Sequence, residues 1–155
     1  MSTAPKEVSK EVTEAVQEAM LATISSLRGG AFKSKVGKVA DPSGKFVLAN
    51  LTFEGDTQLA ISLGITDKLA DKLARLFTGC PIDFESEMMD DVAGEFLNVM
   101  AGDLDARLDR AGMEVQMSTP TTSREFAGSG LERIQQIDFD SSDGSCWIWI
   151  SVPNE

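Results

Sequence analysis

Between Ser86 and Ala111 the apolar residues Met89, Val92, Ala93, Phe96, Met100, Leu104, Leu108 and Ala111 recur at steps of three and four. That is the period of a helix laying one stripe on a core, and Gly112 is its predicted stop. No other element of the chain is as long. A first helix over residues 6–28 shows the same period in Val8, Val12, Val16, Met20, Ile24 and Leu27, and is closed by Gly29 and Gly30. A third runs over 66–78 with Leu69, Leu73, Leu76 and Phe77 on its face, capped by Thr66 and ended by Gly79.

Strands fill the intervals. KVGKVA, the turn DPSG at 41–44 and FVLANLTFE read as a hairpin, and Leu59, Ile61, Leu63 and Ile65 alternate in a third strand. After the long helix, MEVQM is a strand, and ERIQQIDF and SCWIWISV form a final hairpin through SSDG at 141–144. Trp147 and Trp149 share the face opposite Cys146, Ile148, Ile150 and Val152. Packing against the helices is the expected reason, with burial on both faces or a subunit contact as the alternatives. The order is therefore α-β-β-β-α-α-β-β-β, and consecutive hairpins make it an α+β fold, an antiparallel β-sheet covered by helices.

At 155 residues the chain fits one domain, 1–155, able to bury a core without staples. No apolar run approaches the roughly 20 residues of a membrane span, and the first residues lack a secretory pattern, so the cytoplasm is expected. Cys80 and Cys146 stand far apart, outside any metal or disulfide spacing. A net charge of −11 opposes nucleic acid. There is no histidine, which removes the usual general base, both histidine-dependent triads and most catalytic metal sites. Chemistry, if present, falls to carboxylates, amides, hydroxyls or lysines.

One face of the long helix stands out. Asp91, Glu95, Asn98, Gly102 and Asp105 form a stripe away from the apolar one, with Glu95 and Asn98 as neighbours. Gly94 and Gly102 flank that pair at a cost of about 1 kcal/mol each relative to alanine, and Asn is a poor helix former. Either close helix packing or the approach of another protein explains the glycines.

The run GEFLNVMAG at 94–102, followed by LDARLDRAGMEVQMSTPTT, resembles the signature of the CheC/CheX/FliY family of chemotaxis phosphatases, in which a helix carries E-x-x-N. The missing second motif in the 66–78 helix fits the CheX branch. The resemblance implies a phosphatase acting on the aspartyl phosphate of a CheY-like response regulator. Glu95 would engage a lysine of the receiver, and Asn98 would enter its active site and orient the attacking water. Mg²⁺ would be bound by the receiver, with no cofactor on this chain, and a homodimer is implied. Gly94 and Gly102 would give clearance for the partner, and Asp91 and Asp105 would attract its basic residues. A non-catalytic module of the same fold, binding a phosphorylated receiver or a flagellar-switch component, is the alternative.

Other candidates are weaker. Ser118, Thr119, Thr121, Thr122 and Ser123 have no histidine to activate them and read as a turn or strand end. Glu85, Glu87, Asp90 and Asp91 complement a helix N-terminus, and the glycine stretches RGG and AGSG lack the context of a phosphate loop.

Overall fold

A computed structural model describes residues 7–27, 31–125 and 130–153, which form three helices and seven strands. These are α1 (Lys10–Ser26), β1 (Lys33–Gly37), β2 (Phe46–Gly55), β3 (Leu59–Thr66), α2 (Asp67–Thr78), α3 (Glu87–Arg110), β4 (Val115–Met117), β5 (Thr121–Ser123), β6 (Leu131–Ser141) and β7 (Gly144–Pro153). All strands lie in one antiparallel sheet of order β1-β6-β7-β3-β2-β4, with β5 also paired to β2. The α+β class holds, with one more strand than expected: the hydroxyl run at 121–123 pairs with 48–50 as β5.

The three helices cover one face. Val47, Ala49, Leu51 and Phe53 of β2, Leu59, Ile61, Leu63 and Ile65 of β3, Ile137 and Phe139 of β6, and Cys146, Ile148 and Ile150 of β7 form a single core with the apolar stripes of α1, α2 and α3. The period-2 alternation of the strands and the 3.6 period of the helices meet there.

The expected first hairpin does not form. β1 pairs with β6, not β2, with Lys33 opposite Asp140 and Lys35 opposite Asp138. Opposite charges across an antiparallel pair favour that register, and both sides of β2 are taken by β3 and by β4 with β5. Residues 38–45 therefore cross four strand spacings, about 19 Å, on the face away from the helices.

That crossing accounts for the tryptophans. Trp147 and Trp149 do not pack against the helices; with Leu48 they form a second cluster on the opposite face, under Val39 and Phe46. Gln136 ties the cover down, its Oε1 accepting from Trp149 Nε1 at 2.8 Å and from the Ala40 amide at 2.9 Å. Burial within the chain leaves little of either ring for a subunit contact. Trp147 lies across its strand partner Gly64, where a Cβ would come within 2.2 Å of the ring.

Helix ends differ slightly from expectation. α1 starts at Lys10, with Ser9 Oγ accepting from the Val12 amide, and the Gly29–Gly30 stop and most of AGSG lie outside the described residues. Thr66 occupies the N-cap position of α2 without capping it: its hydroxyl donates to the Ser145 carbonyl at 2.8 Å, joining the start of α2 to the β6–β7 turn. Gly79 ends α2 in the left-handed region, as expected.

Candidate functional site

α3 is fixed at both ends. Ser86 Oγ accepts from the Met88 amide at 3.1 Å, and beyond Arg110 the Gly112 amide donates to Asp109 and the Met113 amide to Leu108, a Schellman stop with Gly112 at φ 85°. Arg124, just past β5, donates to Asp90 at 2.8 Å and to the carbonyl of Phe84, binding the helix start to the sheet edge. Met89, Val92, Phe96, Leu97, Met100, Leu104 and Leu108 are buried against α1, α2 and β2.

This leaves one arc of the helix in solvent. Asp91, Glu95, Asn98 and Gly102 are exposed, and Gly94 and Asp105 half-buried. Glu95 and Asn98 are separated by about 4.5 Å along the axis, three residues at ~1.5 Å rise. Among the described residues neither side chain, nor that of Asp91 or Asp105, makes a hydrogen bond or ion pair, whereas Asp90 pairs with Arg124 and Asp103 with Arg107. The Asp103 hydrogen bond is the main reason the Arg107 guanidinium is raised above its ordinary pKa. Asp90 and Asp103, off the arc, are therefore paired, whereas among the described residues Asp91, Glu95 and Asp105 are not.

Glu95 and Asp91 stand on a ridge between two grooves. One, of ≈560 Å³, contains Asp91, Gly94, Glu95 and Asn98 and is walled by Met117, Ser118, Thr119, Pro120 and Thr122. Its wall is the gap between β4 and β5, where Ser118 bridges to Thr52: its amide donates to the Thr52 carbonyl, and its Oγ accepts from the Thr52 amide, each at 2.9 Å. The Thr119–Pro120 turn interrupts the edge there. The other groove, of ≈270 Å³, runs between α2 and α3 over Phe77, Thr78, Ile82, Met88 and Val92.

The glycines separate in role. A Cβ on Gly94 would make ordinary contact with Thr122 at 3.6 Å, and one on Gly102 would meet open space, so packing among the described residues requires neither. Gly102 and Asp105 are not in the groove with Asn98. They line an acidic recess further along α3 with Glu54, Asp56, Asp109 and Glu114. Among the described residues no group of three or more carboxylate or cysteine side chains is arranged to hold a metal ion, and no helix is long and apolar enough to cross a membrane.

The profile of the family described as "Chemotaxis phosphatase CheX" matches residues 47–132, from β2 through α3 into β6. The chain belongs to this CheX family. Solved structures with the same fold include the CheX of Vibrio vulnificus, at TM-score 0.76 and 18% identity over 90% of this chain and 97% of that one. A CheC-like superfamily protein of Shewanella sp. PV-4 has TM-score 0.78 and 20% identity over 95% of this chain and 100% of that one. The CheX–CheY–BeF3–Mg²⁺ complex of Borrelia burgdorferi has TM-score 0.67 and 17% identity over 93% and 98%. No curated sequence is similar enough to count as a relative.

Within this CheX family member, sequence reasoning overlooked the surroundings of the pair. Met88, Val99 and Met117 are exposed at 58%, 41% and 39%. Met88 and Val99 were within reach of the helical period, lying seven residues before and four after Glu95. Met117 was not, since only the tertiary fold sets β4 beside α3.

Proposed function

We propose that this protein is a phosphatase that accelerates hydrolysis of the aspartyl phosphate of a CheY-like response regulator, in chemotaxis or a related two-component pathway. The observation that carries the reading is the Glu95–Asn98 pair, exposed and without a partner among the described residues, on a helix anchored at both ends within the segment that matches the family. The Borrelia structure of CheX in complex with CheY, BeF3 and Mg²⁺ supports the same partner class.

The chemistry suits these residues. An acyl phosphate is an activated ester, so hydrolysis needs a water held in line with the P–O bond to the aspartyl oxygen, and charge compensation, more than a strong base. The water oxygen bonds to phosphorus, the P–O bond breaks with its electron pair going to the aspartyl carboxylate, and both protons of the water leave on the inorganic phosphate, from which solvent takes one. Asn98 would hold that water through an amide that both donates and accepts. Glu95 would anchor a receiver cation, Mg²⁺ would sit in the receiver, and Gly94 and Gly102 would give its loops room. Asp91 and Asp105 would add attraction. A histidine is not required.

Loss of phosphate from a radiolabelled receiver with Mg²⁺ tests this. Asn98→Ala should lower kcat about 100-fold or more while the receiver still binds, and Glu95→Ala should weaken binding as well. Full turnover by Asn98→Ala would overturn the mechanism, and binding without acceleration by the wild type would make the protein a non-catalytic receiver-binding module. One cytoplasmic domain over 1–155, acting as a homodimer, completes the reading; a monomer mass by light scattering would remove the dimer.

A further inference from the structure

Val36, Met88, Val99 and Met117 are the exposed large hydrophobic residues among those described, and three of the four surround the Glu95–Asn98 pair. At about 100° per residue, Met88 and Val99 fall within about 40° of Glu95 around α3. Met117 rises from β4 in the wall facing Asn98. Val36 lies on β1, at the other edge of the sheet.

The groove on the Met88 side has an apolar floor of Phe77, Ile82 and Val92, and two carboxylates, Asp91 and Glu95, on its rim. Phe77 is held edge-to-face on Phe96 at 6.2 Å, so the floor belongs to the core and keeps its shape. Nothing described in this chain covers the groove or neutralises the rim. An apolar floor with an unpaired acidic rim fits an aliphatic or aromatic side chain standing next to a lysine or arginine. It is continuous with the catalytic ridge, because Glu95 lines both grooves.

We propose that the Phe77–Ile82–Met88 groove is the specificity pocket of the docking surface, seating an apolar side chain that the receiver carries beside the cation engaged by Glu95. The proposal rests on the phosphatase reading above. Selection among receivers then lies in this groove, and turnover lies in Asn98 on the other side of the ridge.

The test is the affinity of the full chain for a CheY-like receiver loaded with beryllofluoride and Mg²⁺, alongside KM for the phosphorylated receiver. Met88→Asp should raise Kd and KM about tenfold or more, because it puts a charge where an apolar contact forms. Met88→Leu should restore both to within about twofold, and Val36→Asp should leave them at the wild-type values. Met88 is exposed, so thermal melting should show these variants folded. Wild-type affinity in Met88→Asp, or equal weakening in Val36→Asp, would overturn the groove while leaving the phosphatase reading intact. A wild-type chain that binds no receiver would instead remove the phosphatase reading, and the groove with it.

Discussion

Single side chains carry two kinds of information here, and the cysteines separate them. Cys80 is exposed just past α2, whereas Cys146 is buried on β7, where desolvation above all, with the nearby Asp140 and Asp138 carboxylates, pushes its thiol far up and disfavours the thiolate. Since only the thiolate reacts, iodoacetamide near neutral pH should add one group to the native protein, at Cys80, and a second only in denaturant; two additions under native conditions would show that β7 opens. Glu95 and Asn98 were legible because their spacing is local: an E-x-x-N on a helix fixes its own geometry. What surrounds them, the lack of a partner among the described residues and the walls at Thr119–Pro120 and Phe77–Ile82, is set by residues distant in sequence.

Elements show the same division. Alternation predicts β2 and β3, and alternation with the SSDG turn predicts β6–β7; both pairs form antiparallel as expected. DPSG also reads as a turn, yet the strands on either side of it lie at different places in the sheet, since β1 finds its charge partners on β6. Turn residues state that the chain bends without stating what it will bend toward. β5 was missed because three residues of Thr-Thr-Ser become a strand only once β2 offers an open edge. The crossing 38–45 packs Trp147 against β3, and this gives a sharp prediction: Gly64→Ala must displace the indole or the strand. A loss of about 1–3 kcal/mol in chemical denaturation, the usual cost of overpacking, is expected. An unchanged midpoint would mean the ring moves freely.

At the scale of the molecule, charge and topology matter most. On the proposed reading, the net charge of −11, with Asp91, Glu95 and Asp105 unpaired among the described residues, would make attraction of a cationic partner face a long-range effect. Between about 0.1 M and 1 M salt the screening length falls from roughly 10 Å to 3 Å, so KM for the receiver should rise several-fold while kcat changes little. A salt-independent KM would assign docking to the apolar groove alone. The strand order has a separate consequence. β7 sits near the middle of the sheet, between β6 and β3, although it is the last of the described strands to be made. Until β7 emerges, β3 lacks its central neighbour, and the β1–β6 pair has nothing to join it to the rest of the sheet. The nascent chain therefore cannot close its sheet until that strand emerges, and a premature stop before Gly144 leaves open edges for chaperones and proteases to find.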